Sequence, residues 1–383
     1  MVGQDLRYLI PAAIDHVYLN AAMVGPTPTS AMTAATAAEL EWQEVGPGHF
    51  PFYQGARAEA TRFQNRLQFM LPGGTVHLAN THRDAIMTVL YGLDLREGDQ
   101  IITTDQEDAS MLGALIEVAR RFRLRVLVLK VGGLDLIDEL EHALSASTRL
   151  VALSHVSPES GWAMPIAELA QRIHAWPDVR FLIDGAQAWG NIEVNVDASG
   201  ADFYVLCGHK WLMAPPPAAA LWVRYNRGGE LTTVTPDEDR DVRLRRLEES
   251  DWEIAGDRVT SAATQPWPRL VGWALCLDYF EEEGFATHAA YQRDLARICR
   301  DSVRGMARLE VMDPTDPSMA TNLMVLRSRV LDGHAFAERL WAENIFVHPL
   351  SGGRGVRISW ASFNIRDDVE RLIQALHTVH QGY

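Results

Sequence analysis

Residues 201–217 read ADFYVLCGHKWLMAPPP: a short apolar run, a glycine, a histidine, and then Lys210 ahead of three large apolar side chains. A lysine directly behind an apolar strand and in front of Trp211, Leu212 and Met213 is expected to be substantially buried. Burying an ammonium is costly unless something uses it, so Lys210 is a candidate for imine formation with an aldehyde cofactor. The plain alternative is a strand-end lysine that snorkels to solvent. Outward from this stretch, short apolar runs alternate with amphipathic segments. Strands are predicted at 75–80, 99–105, 123–131, 150–158, 180–187, 201–207 and 218–225. Several are continuous Val/Ile/Leu runs, as expected of strands covered on both faces. Between them, 109–121 carries Leu112, Leu115, Ile116 and Ala119 at helical spacing, and 166–176 carries Ile166, Leu169, Ala170 and Ile173. This alternation predicts an α/β fold with a mostly parallel sheet, whose ligands bind beyond the carboxyl ends of the strands.

One such end lies in 180–190, RFLIDGAQAWG, where Asp184 follows three apolar residues and precedes the small Gly185 and Ala186. A carboxylate there can hold a protonated ring nitrogen, with Gln187 donating nearby; equally, Asp184 can be a helix N-cap. An aspartate at one strand end and a lysine at the next match pyridoxal phosphate chemistry, which needs a lysine imine and a carboxylate at the pyridinium nitrogen.

Past 225 the pattern changes. Residues 226–258 are polar and charged and read as a connection or lobe boundary. A long helix is predicted at 267–283, helices at 289–306, 333–343 and 367–377, and strands at 323–327 and 355–359, which together read as a smaller α+β domain. A chain of 383 residues exceeds what one core supports, so two domains are expected. The 35 basic and 50 acidic side chains leave a net charge of −15, which disfavours nucleic acid and anionic membrane as partners. Three cysteines do not make a disulfide framework, and a cytoplasmic location is expected. The start, MVGQDLRYLIPAAIDH, lacks the pattern of a signal peptide, and no run approaches membrane-spanning length. No G-x-G-x-x-G follows a first strand, and His77, His82, His155 and His209 form no familiar metal-ligand spacing, so no metal is expected.

An ordered set of motifs carries the sequence further: VYLNAAMVGPTP (17–28), ANTHRDAI (79–86), SHVSPESG (154–161), DGAQ (184–187), GHK (208–210) and VRISWASFNIRDDVERL (356–372). In these the chain resembles the class V aminotransferase family of fold-type I PLP-dependent enzymes, which includes cysteine desulfurases, isopenicillin N epimerase and kynureninase. The resemblance implies the fold-type I transferase fold. It places a seven-stranded sheet in a large domain at 20–258, with 1–19 and 259–383 forming the small domain. It implies pyridoxal 5'-phosphate as cofactor, with Lys210 as the Schiff-base lysine, Asp184 at the pyridine nitrogen and Gln187 near the phenolic oxygen. Asn80, Thr81, His82 and His209 fall where the family holds the phosphate, and Ser157 where many relatives place an asparagine. Arg357 falls where the family binds the substrate's α-carboxylate, a bidentate task suited to a guanidinium, with Arg354 nearby and Asn20 at the substrate entrance. It further implies a homodimer with sites at the interface, acting on a small amino-acid substrate.

Departures are informative. The family's ring-stacking residue follows a glutamate, and here Asp108 follows Glu107; a carboxylate has no face to stack, leaving Trp162 and Trp189 as other candidates to cover the ring. Cys207 replaces a phosphate-binding serine, and AGDRVT at 255–260 replaces a Gly-Thr contact, so Asp257 would repel phosphate and Arg258 or Thr260 is left to serve. No cysteine lies between Asp313 and Arg357, where desulfurases carry their nucleophile. The expected activity is therefore a C–S lyase working through a lysine Schiff base, an α-carbanion and β-elimination. Transamination and epimerisation are the alternatives on the same lysine, and a non-catalytic PLP-fold binding protein is the alternative of a different class.

Overall fold

The structure, a computed structural model, describes residues 2–132, 136–232, 242–244, 252–254, 266–350 and 355–380, the two three-residue segments by backbone alone. Arg354, Gly256, Asp257, Arg258 and Thr260 lie outside the described residues.

Seven strands form one sheet: β1 (Gly74–Ala79), β2 (Gln100–Thr104), β3 (Arg125–Leu129), β4 (Thr148–Ser154), β5 (Arg180–Asp184), β6 (Phe203–Cys207) and β7 (Ala219–Arg224). Their spatial order is β1-β7-β6-β5-β4-β2-β3, with β7 antiparallel to both its neighbours and the other pairs parallel. The mostly parallel seven-stranded sheet expected from the sequence is present. Its cause is visible in the alternation of side chains along each strand. In β5, Phe181 and Ile183 join the core on one face while Leu182 joins Phe203 and Val205 on the other. Every residue of β2 and β6 is buried, whereas Arg125 and Val128 of the edge strand β3 are exposed.

Helices cover both faces. Ala109–Phe122 is capped by Asp108, whose side chain accepts from the Ser110 amide, and it stops at Arg123 in the left-handed conformation. Trp267–Glu283 has the bounds read from sequence, set by Pro268 in its first turn and Gly284 at its end. The next helix, Phe285–Val303, starts earlier than the apolar spacing suggested because Gly284 alone separates the two. The segment read as a connection contains an antiparallel pair, Val242–Leu244 with Trp252–Ile254.

A second sheet carries β8 (Leu309–Val311), β9 (Leu323–Ser328), β10 (His348–Pro349) and β11 (Val356–Ser359) in the order β8-β9-β11-β10, all antiparallel. It has its own core, with Phe336, Leu340, Ile358, Trp360 and Leu372. The first residues divide between the cores: Leu6, Ile10 and Ala13 pack under the large sheet, while Val17 and Leu19 pack in the small one. Val17–Tyr18 pairs in parallel with Ile345–Phe346, and Asn20 bridges to Ser359. The chain start is thereby led from one sheet to the other, past the site.

Candidate active site

Because β2, β4, β5 and β6 are parallel, Thr104, Ser154, Asp184 and Cys207 end at one edge of the sheet. The chain after Cys207 turns tightly: Met213 donates from its amide to the Lys210 carbonyl at 3.1 Å, and Met213 itself is fully buried at φ 58°. A bulky residue held at positive φ costs on the order of 1–3 kcal/mol and persists only where its surroundings dictate it. The N-terminal segment presses on the same turn, with the Gly25 amide donating to the His209 carbonyl at 2.9 Å. A Cβ on Gly25 would overlap the Lys210 carbonyl oxygen, so only glycine allows this approach. Lys210 is half-buried.

Beside this turn is a cavity of about 710 Å³. Its wall includes Thr81, His82, Asp108, His209, Lys210 and Arg357 of the residues expected from sequence. Thr81 caps the helix His82–Gly92, its hydroxyl accepting from the Asp84 amide at 3.1 Å, so the free first-turn amides and the dipole lie at the cavity. Nε2 of His82 lies 2.8 Å from Oδ1 of Asp184, which also accepts from the Ala186 amide at 2.9 Å. Burial alone would raise the Asp184 pKa, but His82, Lys210 and the Ala186 amide together hold it below the usual carboxylate range. Burial lowers the His209 pKa to about 4, so its imidazole is neutral near pH 7.

Arg357 projects from β11 and is 7% exposed. One of its terminal nitrogens donates to the Pro158 carbonyl at 2.8 Å, and its Nε is buried with no hydrogen bond among the described residues. Burial lowers its pKa to about 10, against the opposing pull of Asp108 and Glu159. His348, directly across from Arg357 on β10, shares the cavity wall, and burial lowers its pKa to about 4. His348 and Glu159 on this wall were not among the residues expected from sequence. The signal for His348 was present in two extended runs flanking SGGRG, the pattern of a hairpin that faces its arms together.

The sequence profile of aminotransferase class-V matches residues 55–372. The chain belongs to the class V aminotransferase family. It is therefore a PLP-dependent enzyme of that family. A probable cysteine desulfurase of Methanothermobacter thermautotrophicus is 30% identical over 237 residues, which is 60% of this chain and 58% of that protein. Isopenicillin N epimerase of Amycolatopsis lactamdurans is 28% identical over 308 residues, 74% of each chain. Among solved structures, the cystine C–S lyase C-DES in complex with its product cysteine persulfide matches with a TM-score of 0.86 at 23% identity, over 96% of this chain and 98% of that one.

The class V cofactor can be tested against the residues in place. Asp184 is 2% exposed and lies behind the cavity wall rather than on it; its Oδ1 is engaged, while its Oδ2 has no hydrogen bond among the described residues. A lysine amine, a helix start and three imidazoles border a cavity of the size that holds small-molecule ligands. The residues fit the group.

Not every expected residue borders the cavity. Gln187 is committed elsewhere: its Nε2 donates to the Ala22 carbonyl at 2.8 Å and its Oε1 accepts from Trp211 Nε1 at 2.9 Å. Ser157 closes a local turn, its hydroxyl accepting from the Glu159 and Ser160 amides at 3.0 Å. Asn80 is exposed, and the Asn20 side-chain oxygen is buried without a hydrogen bond among the described residues. Trp189 packs in the core against Trp273 and Phe285, and Trp162 donates to the Met312 carbonyl; neither borders the cavity.

Proposed function

We propose that this enzyme is a C–S lyase that takes an amino acid or amino-acid conjugate bearing sulfur on its β-carbon and eliminates that sulfur. The carrying observation is a cavity that joins an amine, Lys210, to a buried and under-partnered guanidinium, Arg357, with no thiol on its described wall. All three cysteines are buried, and burial pushes each thiol pKa upward, that of Cys207 to about 11. A thiol kept protonated and away from the cavity cannot take up sulfur as an enzyme-bound persulfide. The desulfurase name of one relative and the C–S lyase title of the structural neighbour support the same bond as the one broken.

In this reading Arg357 receives the α-carboxylate, replacing the hydrogen bonds it lacks. Lys210 anchors the cofactor and moves the proton at the α-carbon. The bound PLP supplies an aldehyde and an electron-withdrawing ring. Asp184 would hold the ring nitrogen through its unpartnered Oδ2, with His82 fixing the carboxylate through Oδ1. Thr81, His82 and His209 would hold the phosphate, while Asn80, Ser157 and Gln187 would support the cofactor site from outside the cavity wall. Asn20 orders the entrance segment.

The assembly we infer is a homodimer with the cavity beside the interface. Met23 borders the cavity at 50% exposure and Val24 adjoins it at 38%, apolar surface that a second copy would cover. A division into 20–258 and 1–19 with 259–383 is supported by the separate core of Val17, Leu19, Leu326, Phe336 and Leu372, while Leu6, Ile10 and Trp273 pack with the large sheet across that boundary. A cytoplasmic location agrees with three unpaired thiols; among the described residues no helix is long and apolar enough to cross a membrane.

The test is to supply PLP-loaded protein with L-cystine and cysteine S-conjugates and to assay pyruvate and ammonia. Lys210→Ala is expected to lose the visible absorbance of the lysine-bound cofactor and to lower product release by about a thousandfold or more. Dependence on a keto acid acceptor, without pyruvate or ammonia, would replace the lyase reading with transamination.

A further inference from the structure

Asp108 occupies a position where a ring-stacking aromatic is expected, and its surroundings suit a different task. Its Oδ1 accepts from the Ser110 amide at 2.7 Å, and among the described residues its side chain makes no other hydrogen bond and no ion pair within 4.0 Å. It is half-buried on the cavity wall. Four charged or titratable groups act on it or feel it: Lys210 and Asp184 on its own carboxyl, and Asp108 in turn on Arg357 and His348. Arg357 is more than nine-tenths buried, borders the same cavity, and has an Nε without a partner among the described residues. The other carboxylates on or behind this wall are differently placed. Asp184 is held by His82 and Ala186, Asp84 is exposed, and Glu159 is engaged in a contact of its own.

A carboxylate with one oxygen spent on a helix cap and the other unengaged thus shares one cavity with a buried guanidinium, close enough to feel it and too far away to pair. A free amino acid carries the complementary charges one carbon apart. We propose that Asp108 is a specificity-determining residue that receives the substrate's α-ammonium while Arg357 receives its carboxylate, so that the cavity selects zwitterionic amino acids over simple carboxylic acids. The inference rests on the substrate reading of Arg357 given above. It assigns to Asp108 the delivery of the substrate nitrogen to the neighbourhood of Lys210.

The experiment compares two ligands of one shape on the PLP-loaded protein. N,N-dimethylglycine keeps both charges, and its tertiary amine cannot condense with a lysine-bound aldehyde; 3-methylbutanoate replaces the nitrogen with carbon. Calorimetry on the wild type is expected to show about tenfold or greater preference for dimethylglycine. Asp108→Asn should bring the ratio near one, chiefly by weakening dimethylglycine, and Asp108→Glu should restore the preference. A purely structural role for Asp108 would change both affinities together and leave the ratio alone. No preference in the wild type, or a preference that survives in Asp108→Asn, overturns the proposal. Arg357→Ala should weaken both ligands; if it weakens neither, the carboxylate reading fails separately, whatever the ratio does.

Discussion

Nε2 of His82, at the first residue of one helix, lies 2.8 Å from Oδ1 of Asp184, at the last residue of a strand 102 positions later. The carboxylate is 2% exposed. Burial works against its charge, and His82, Lys210 and the Ala186 amide outweigh burial. Its folded pKa is depressed, so the stability it contributes is present above the ordinary carboxylate pKa and fades as pH falls through the folded value. His82→Ala removes the largest opposing contribution. It should destabilise the protein by about 1–3 kcal/mol at pH 7 and by much less in acid, where Asp184 is protonated in both forms. Denaturant titrations at the two pH values check this, and equal losses at both would show that His82 acts through packing alone.

Arg357 gives a prediction at alkaline pH. Its pKa is lowered to about 10 by burial, and a depressed cation loses its charge as pH rises through that value. Binding of 3-methylbutanoate, which has no amine to titrate, should be level at neutral pH and weaken by about tenfold per pH unit above the Arg357 pKa. Arg357→Lys should weaken it by roughly tenfold or more at pH 7, because an ammonium cannot reproduce the planar fork. Affinity that is flat well beyond pH 10 would place the carboxylate elsewhere.

Glu107 lies behind Asp108, fully enclosed, accepting from Thr104 Oγ1 at 2.5 Å and from the Ser154 hydroxyl and amide at 2.5 and 2.8 Å. Burial raises its pKa to about 7 despite those three donors. A raised carboxyl stabilises the fold most below its unfolded pKa, and that stability is lost as pH rises through the folded value. Between pH 5 and 8 the wild type should therefore lose roughly 1–3 kcal/mol that Glu107→Gln does not lose. Thermal melts across that window decide it. A variant with the same slope as the wild type would assign the pH dependence to other groups.

Gly25 carries a steric prediction. A Cβ there meets the Lys210 carbonyl, a backbone atom that cannot swing away. Gly25→Ala should lower the fraction of protein that retains PLP and cost roughly 1–3 kcal/mol of stability. Retention of PLP by absorbance is the direct readout, with Gly48→Ala as the comparison, since nothing lies within 4 Å of a Cβ there. Neither Gly25 nor Gly48 is a positive-φ glycine, so the pair differs in the clash alone. Equal effects at the two sites would attribute the loss to backbone freedom.

The large sheet was legible because its evidence is local. Continuous apolar runs mark strands buried on both faces, and each predicted strand overlaps the observed one, with starts or ends that differ by up to four residues. Lys210 and Asp184 were legible for the same reason, as polar residues interrupting apolar strands at their ends. Gln187 shows the limit. Its place after DGA put it near the cofactor, yet its amide is spent on Ala22, 165 residues away, and on Trp211. No periodicity reports a contact of that separation.

By itself, then, the sequence determined the class of fold, the strand ends that carry chemistry, and the lack of a cysteine before Arg357, because strand burial, helix capping and residue counts are properties of neighbouring positions. The tertiary structure alone decided which of those groups meet. It joined His82 to Asp184, set His348 opposite Arg357, brought Asp108, Lys210 and Arg357 to one cavity wall, and pressed Gly25 onto the Lys210 turn. Those pairings depend on sheet register and on the packing of segments far apart in the chain, and both are set only when the cores close.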